Sequence, residues 1–209
     1  TTDGINTLPF VLSLSKDCAE FPIQYPPGHQ KTIVIQPTPQ QIVLASNNQG
    51  KIREIQALLP DYSIIPQAEF IQSEAEEAGV TFVENALLKA RHAAQHSHLP
   101  VLADDSGLAV DALSGAPGIF SARYAGIGAS DQDNVNKLLM ELNGVPLEER
   151  TARFICVMVL IEHANDPVPV IAQGTWEGRI LFHPTGANGF GYDPVFWMPE
   201  HDCSSAELS

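Results

Sequence analysis

The sequence predicts one α/β domain, with a mixed central sheet flanked by helices and an elongated, two-lobed shape. Three observations predict this fold class. The chain has 209 residues, 44% of them hydrophobic, which suffices for one sizeable core. Short apolar, β-branched runs alternate with helical patterns in the first part of the domain, and two long strand-like runs follow. Such a succession is typical of a sheet covered by helices rather than of a bundle or a sandwich.

The predicted elements begin at Gln41, after a segment without a sustained hydrophobic period. Residues 1–40 contain proline clusters and are predicted to be a poorly ordered extension, so the domain is assigned to residues 41–209. QIVLA is predicted to be a strand and SNNQG a polar loop. Residues 51–59 are predicted to form a helix because isoleucine and leucine recur at helical spacing, and YSIIP (62–66) is the next predicted strand.

A second helix is predicted over residues 81–97. Thr81 and Glu84 have the spacing of a capping box. An apolar stripe follows along one face of this helix, formed by Phe82, Ala86, Ala90, Ala93 and Ala94. The next stretch, VLADDSGLAV (101–110), is predicted to be a buried strand interrupted by a turn at Asp-Asp-Ser-Gly, with Gly107 as the point where the chain turns away.

The rest of the chain contains a Gly/Pro-rich loop, a helix and two long strands. The loop LSGAPGIFSARYAG precedes a helix predicted near residues 131–142. ARFICVMVLIEH and VPVIAQGTWEGRI are predicted to be long strands of a hairpin or ribbon, before the glycine-rich GANGFGYDP. Because ligands of α/β sheets bind at the carboxyl ends of strands, the polar residues there are the candidate site residues.

Charge and composition exclude several classes of function. The 11 basic and 25 acidic residues give a net charge of −14, which disfavours polymeric nucleic acid and membrane surfaces as partners but not a small polyphosphate. The three cysteines are far apart and predict neither a disulfide framework nor a zinc knuckle. No apolar run approaches the ~18 residues of a membrane span. A cytoplasmic protein is therefore expected.

Two polar segments next to the helices are candidates for binding a ligand. SNNQGK could cradle phosphate oxygens with its hydroxyl and amide groups, its helix-start N–H groups and Lys51. It is not a Walker A loop, and the alternative is a loop whose Ser or Asn caps the helix. Asn85 and Lys89 lie four residues apart, so they share a helix face and could reach one site; a polar outer face is the alternative. The acidic loop before them, with Glu74, could simply be solvated.

Two adjacent carboxylates, Asp104 and Asp105, follow the apolar start of the third strand. Side chains alternate along a strand, so these two point to opposite sides and cannot do the same job. One could bind a hard cation or orient a water while the other anchors the loop or a neighbouring lysine. Mg²⁺ suits such a site because it takes oxygen ligands and leaves positions for phosphate and water. The alternative is plain turn chemistry, although unpaired carboxylates are costly to bury.

Aromatic residues and histidines complete the candidates. Phe190 and Tyr192 stand among glycines that let a backbone approach a flat ligand, and an aromatic ring can stack on a nucleobase; a flexible hairpin is the alternative. His92 and His96 have a spacing that could suit zinc. Since no HExxH motif and no nearby cysteine accompanies them, they are assigned to the surface near a helix end.

Four segments in order, SNNQGK, EEAGVTFVENALLKA, LADDSGLAVDALSGAPGIFSARYAG and GFGYDPVF, resemble the inosine triphosphate pyrophosphatase family. The resemblance covers residues 41–209. It implies a Mg²⁺-dependent homodimer, with its active site in the cleft, that removes deaminated purine nucleotides. The implied reaction is hydrolysis of ITP, dITP and XTP to the nucleoside monophosphate and pyrophosphate.

The resemblance also implies roles for individual residues. Asp105 coordinates Mg²⁺ together with Glu76 or its neighbour Glu77, and it accepts the proton of the attacking water. Lys51 and Lys89 complete the implied catalytic set. The implied substrate contacts are Ser46, Asn47, Asn48, Gln49, Gly50, Lys51, Asn85, Ser106, Phe190, Gly191, Tyr192 and Asp193. Among these, Phe190 stacks on the base, and the residues after it shape the base pocket.

One departure from the family concerns the end of the chain. Members of the family continue with a lysine and a Ser-His-Arg motif that read the 6-oxo group of the base, and this sequence stops at Ser209. The domain is therefore expected to be truncated and to discriminate less well against ATP and GTP. Two alternatives stay open, a related pyrophosphatase for pyrimidine or other modified nucleotides, and a nucleotide-binding protein without turnover.

Overall fold

The computed structural model describes residues 40–208, and within them it has seven strands and three α-helices. The strands are Gln40–Leu44 (β1), Tyr62–Pro66 (β2), Val101–Val110 (β3), Thr151–Ile161 (β4), Val170–Ile180 (β5), Phe196–Met198 (β6) and Cys203–Ser204 (β7). The helices are Gln49–Leu58 (α1), Phe82–Ser97 (α2) and Asp131–Glu141 (α3). The predicted N-terminal extension lies outside the described residues, except for Gln40, which begins β1.

All seven strands belong to one mixed sheet, in the order β2-β1-β3-β4-β5-β6-β7. β1 is parallel to β2 and β3, and the remaining pairs are antiparallel. The predicted α/β class is confirmed, as is the predicted hairpin, which pairs β4 with β5 from Thr151↔Arg179 to Leu160↔Val170. No helix in the described part of the chain is long and apolar enough to cross a bilayer.

Helices α1 and α2 cover opposite faces of the sheet, because alternate residues of each strand face opposite ways. Ile42 and Leu44 pack with Ile55 of α1, whereas Val43 packs with the four buried alanines of the stripe predicted on α2. Thr81 caps α2 as predicted, by accepting from the N–H of Glu84. Side chains of β3 point to both faces of the sheet, so a ligand at the edge of β3 can reach residues from both helices.

Strand β3 is not interrupted, and the turn predicted at Asp-Asp-Ser-Gly is wrong. Its antiparallel register with β4 continues through Ser106↔Cys156 and Gly107↔Ile155 to the end of the strand. A Cβ on Gly107 would lie 2.5 Å from the carbonyl oxygen of Gly118 and 2.6 Å from Ser121 Oγ. Glycine is therefore required because another segment packs directly against the strand, and the chain does not turn there.

A third packing cluster joins α3 to the far end of the sheet, and a buried arginine borders it. Arg150 is 3% exposed and donates to three backbone carbonyls, those of Leu142 at 2.8 Å, Val145 at 3.0 Å and Leu181 at 3.1 Å. Its guanidinium also lies over the ring of Phe182. The side chain thus ties the end of α3 to the segment that follows β5.

We expect Arg150→Met to lower the free energy of unfolding by about 2 kcal/mol, because three carbonyls lose a charged donor and methionine offers none. Urea unfolding followed by circular dichroism measures this. Arg53→Met, on the exposed side of α1, is the matched control and should leave the midpoint unchanged. Equal midpoints for the two variants would contradict the role of Arg150.

Candidate active site

The candidate site lies at a short open edge of β3. The parallel pairing of β1 with β3 ends at Leu44↔Leu102, whereas β3 continues along β4. Farther along β3 the edge is covered again, since the N–H of Leu108 donates to Ser121 Oγ at 2.9 Å. Residues 104–106 lie in the gap between these two contacts, just beyond the carboxyl end of β1, where α/β sheets bind ligands.

Asp104 faces α1 and forms an ion pair with Lys51. The carboxylate is buried, and its Oδ2 lies 2.5 Å from Lys51 Nζ in the first turn of the helix. The prediction that one of the two aspartates anchors a neighbouring lysine is confirmed by this pair. Lys51 thereby points back to the sheet edge, and two residues farther along β3 the side chain of Ser106 is exposed.

Asp105 faces α2, so the prediction that the two aspartates point to opposite sides is confirmed. Its Oδ1 lies 2.8 Å from Lys89 Nζ, and its Oδ2 accepts from Asn85 Nδ2 at 3.2 Å. The amide of Asn85 is oriented by a second bond, because its Oδ1 accepts from the N–H of Gly79 at 2.9 Å. Asn85 and Lys89 therefore share one helix face and reach one carboxylate, as their spacing predicts.

Glu77 joins this group from the loop before α2. Its Oε1 lies 2.8 Å from Lys89 Nζ, so that Lys89 bridges Glu77 and Asp105. Its Oε2 accepts from Arg123 Nη1 at 2.9 Å. Glu76, the alternative metal ligand, has an exposed side chain outside this group, and Glu74 is also exposed. The structure thus brings Glu77 to Asp105.

Arg123 is the residue of this group that the sequence reasoning missed. It lies in the short 3-10 helix Gly118–Arg123, within the quoted segment SARYAG. A basic residue in that segment was the only signal. Its carboxylate partner lies 46 positions away in the chain, and no local pattern indicates such a distant contact.

Burial and charge give the three central groups different proton affinities. Burial raises the pKa of Asp105 above its ordinary value, and the nearby charge of Glu77 adds to this, so the hydrogen bonds from Lys89 and Asn85 do not offset it. Burial also acts to raise the pKa of Glu77, but Lys89 and Arg123 outweigh it and the pKa is lowered. Burial acts to lower the pKa of Lys89, yet its two carboxylate partners raise it. The pKa values of the two carboxylates are thus shifted in opposite directions beside one ammonium group.

The oxygen donors at this point fit a divalent cation. Glu77 Oε1 and Asp105 Oδ1 both approach one positive charge, the ammonium of Lys89, at 2.8 Å. Mg²⁺ is commonly held by one or two carboxylates together with substrate phosphates. Among the described residues, no group of three or more His, Cys, Asp or Glu side chains could hold a metal by itself, and this includes His92 and His96.

The segment SNNQGK reaches the site chiefly through its lysine. Asn48 caps α1, since its Oδ1 accepts from the N–H groups of Gly50 at 2.8 Å and Lys51 at 3.2 Å. The N–H of Asn48 in turn donates to Ser46 Oγ at 3.1 Å. Two N–H groups at the start of α1 are thus bonded to Asn48, as the capping alternative predicts. The remaining two predicted contact residues, Asn47 and Gln49, are exposed beside it.

The glycine-rich segment presents one free aromatic ring. Phe190 is 80% exposed, beside a groove of about 250 Å³. The backbone around it is held by two carboxylates, because Asp193 Oδ2 accepts from the N–H of Phe190 at 2.9 Å and Asp131 Oδ2 accepts from the N–H of Gly191 at 2.7 Å. Tyr192 is buried in the core, so only Phe190 has a ring face open to a ligand.

Tyr192 connects this loop to the segment that carries Arg123. Its hydroxyl donates to the carbonyl oxygen of Ser121 at 2.8 Å. Two residues farther along the same 3-10 helix, Arg123 binds Glu77. The aromatic loop and the carboxylate group are thus joined through one short helix.

The chain is similar to known proteins over most of its length. The model of the Ham1 family matches residues 42–209. A dITP/XTP pyrophosphatase from Vibrio cholerae is 61% identical over 170 residues, which cover 80% of this chain and 85% of the relative. A dITP/XTP pyrophosphatase from Yersinia pestis is 56% identical over 172 residues, covering 81% and 87%.

Solved structures show the same similarity. The HAM1 protein from Coxiella burnetii has a TM-score of 0.78 at 52% identity, and the match covers 81% of this chain and 87% of that one. The Staphylococcus aureus Ham1 protein has a TM-score of 0.76 at 46% identity, with the same coverage. The resemblance inferred from the four sequence segments is confirmed, and the chain belongs to the Ham1 family.

Proposed function

We propose that this protein hydrolyses dITP, ITP and XTP to the nucleoside monophosphate and pyrophosphate. The observation that carries the proposal is the set of four ion pairs at the open edge of β3: Asp104 with Lys51, Asp105 with Lys89, and Glu77 with both Lys89 and Arg123. Glu77 and Asp105 could thus bind a metal, and Lys51 and Lys89 could bind the phosphates of the same ligand. The dITP/XTP pyrophosphatases from Vibrio cholerae and other bacteria support the choice of substrate.

Asp105 is proposed to accept the proton of the water that attacks the α-phosphorus. Its raised pKa suits a general base, which works best when its proton affinity is not too low. The bonds from Lys89 and Asn85 hold the carboxylate in one orientation. Pyrophosphate leaves as the water oxygen bonds to phosphorus, and the proton remains on Asp105.

Glu77 and Asp105 are proposed to hold Mg²⁺. The bound ion would neutralise charge on the phosphate oxygens and favour in-line attack. Lys51 and Lys89 are proposed to bind the non-bridging and leaving oxygens, which become more negative as the bond to the leaving group breaks. The half-buried Ser46 and the exposed Asn47, Gln49 and Ser106 are proposed to contact the triphosphate.

Phe190 is proposed to stack on the purine base. Its exposed ring and its backbone, which is held through Asp193, support this role. Gly191 beside it has a φ of 57° and is held by Asp131, so the loop has a defined shape that a base can meet. Tyr192 is proposed to support this loop from the core.

A panel of nucleoside triphosphates tests the proposed function. We expect Mg²⁺-dependent pyrophosphate release that is fastest with ITP, dITP and XTP and that stops when EDTA is added. ATP, GTP, CTP and UTP are the comparison substrates, and orthophosphate is measured in parallel. Faster turnover of pyrimidine nucleotides would replace the proposal by the related pyrophosphatase. Binding of ITP without any pyrophosphate release would replace it by a nucleotide-binding protein.

We also propose that the protein acts as a homodimer in the cytoplasm, as the family resemblance implies. Two cysteines of the described residues, Cys156 and Cys203, are free thiols, which supports a reducing compartment. Light scattering on the purified protein checks the dimer, which has twice the mass of the chain.

A further inference from the structure

We propose that Arg123 is a positioning residue of the metal site. Its guanidinium holds one carboxylate oxygen of Glu77 so that the other oxygen faces Asp105. The inference rests on the proposed function, because it concerns the metal site that Glu77 and Asp105 are proposed to form.

The two oxygens of Glu77 have different partners. Oε2 accepts from Arg123 Nη1 at 2.9 Å, whereas Oε1 lies 2.8 Å from Lys89 Nζ. Only the second oxygen shares its cation with Asp105, whose Oδ1 also lies 2.8 Å from Lys89 Nζ. A divalent ion that binds Glu77 and Asp105 together would compete with Lys89 for the shared oxygens. Arg123 binds the other oxygen of Glu77, Oε2, so this hydrogen bond can remain when a metal ion binds.

Glu77 needs a partner that orients it, because its backbone lies in neither a helix nor a strand. The loop leads into the N-terminal cap of α2, and its other glutamates, Glu74 and Glu76, are exposed. A free glutamate side chain samples several rotamers, and binding a metal costs the entropy of selecting one. A guanidinium is planar and rigid, so a bond to it selects one orientation of the carboxylate.

Arg123 is itself fixed by a buried side chain of α3. Asn134 Nδ2 donates to the carbonyl oxygen of Ala122 at 3.2 Å, and Asn134 Oδ1 accepts from the N–H of Ala125 at 2.8 Å. These two bonds hold the backbone on both sides of Arg123. The guanidinium also lies 5.4 Å from the centre of the Phe120 ring. Helix α3 thus fixes the position of Arg123, and Arg123 in turn orients the carboxylate of Glu77.

The same helix also holds the aromatic loop, through Asp131 and the N–H of Gly191. Helix α3 therefore contacts the segments that carry both Arg123 and Phe190, although it is not proposed to touch the phosphates. Residues that orient a metal ligand from outside typically contribute a factor of about 10–100 in metal affinity.

The test compares Arg123→Met and Arg123→Lys with the wild type. Mn²⁺ is titrated into the nucleotide-free protein by calorimetry, so that metal affinity is measured without turnover. We expect Arg123→Met to weaken Mn²⁺ binding by about 10–100-fold. A lysine side chain keeps the positive charge but lacks the planar, forked guanidinium group. Arg123→Lys should therefore bind Mn²⁺ more tightly than Arg123→Met but less tightly than the wild type. The Mg²⁺ concentration for half-maximal pyrophosphate release should rise in the same order, with KM for ITP at saturating Mg²⁺ unchanged.

Arg153→Met is the matched control, because Arg153 is likewise paired with carboxylates, those of Asp111 and Glu177, and lies away from the site. It should bind Mn²⁺ like the wild type. Circular dichroism confirms folding, and if Arg123→Met does not fold, Arg123→Lys carries the comparison. A raised KM for ITP with unchanged Mn²⁺ affinity would overturn the inference and make Arg123 a phosphate contact. Wild-type protein that binds no Mn²⁺, either nucleotide-free or in the presence of a non-hydrolysable ITP analogue, would refute the proposed metal site itself.

Discussion

Asp105→Asn is expected to fold normally and to lose nearly all pyrophosphate release. A general base typically contributes about 10²–10⁴-fold to the rate, and the same change weakens the proposed metal site, so the loss in kcat should lie at the upper end of this range or beyond. Asparagine has almost the same shape and can still accept from Lys89, and Lys89 keeps its bond to Glu77. Single-turnover pyrophosphate release from ITP at saturating Mg²⁺ measures the effect.

Two neighbouring carboxylates make this experiment specific. Asp111→Asn, at the exposed end of the same segment, should leave turnover unchanged because its partners Arg153 and Thr151 lie away from the site. Asp104 faces α1 and forms an ion pair with Lys51. Asp104→Asn removes this pair and is therefore expected to weaken nucleotide binding more than it lowers kcat. Pyrophosphate release by Asp105→Asn at a rate near that of the wild type would reject Asp105 as the base.

Gly107→Val is expected to lower the free energy of unfolding by about 3 kcal/mol or more, the upper end of the range for overpacked sites. The new Cβ alone would lie 2.5 Å from the carbonyl oxygen of Gly118 and 3.0 Å from the ring of Phe82. Since a backbone oxygen cannot turn aside as a side chain does, β3 and the 3-10 helix must separate. That helix carries Ser121 and Arg123, so metal affinity should fall as well.

Urea unfolding followed by circular dichroism measures the loss. Gln173→Val introduces the same residue at an exposed position of β5, where a β-branched side chain is well tolerated, and should change stability little. Gly107→Ala should lie between the wild type and Gly107→Val. A fully stable Gly107→Val protein would contradict the close packing of the two segments.

The helices and the β4–β5 hairpin were predictable because their signals are local. The alanine stripe and the Thr81 cap define α2 by spacing alone, and β4 and β5 are neighbouring strand patterns that pair as a hairpin. The turn at Gly107 was wrongly predicted because the prediction used only local signals. Glycine after Asp-Asp-Ser is good turn material locally, and its real cause is a packing contact with Gly118 that no local pattern contains.

Most side chains of the candidate site were predicted from the sequence, but only some of their contacts were. The sequence predicts Lys51, Asp105 and Lys89 as site residues. The alternation of side chains along a strand predicts that the two aspartates point in opposite directions. It could not choose between Glu76 and Glu77, because both stand in the same acidic loop. That choice depends on how the loop packs against α2, since only Glu77 faces Lys89.

By itself, the sequence determined the fold class, the family, and which residue types could carry the chemistry, because periodicity, capping and ordered segments can be read along the chain. The tertiary structure decided that β3 runs unbroken, that Lys89 joins Glu77 to Asp105, and that Arg123 pairs with Glu77. These features depend on contacts between residues far apart in the chain. Their free energy comes from burial and charge pairing, which exist only once the sheet and its helices are assembled.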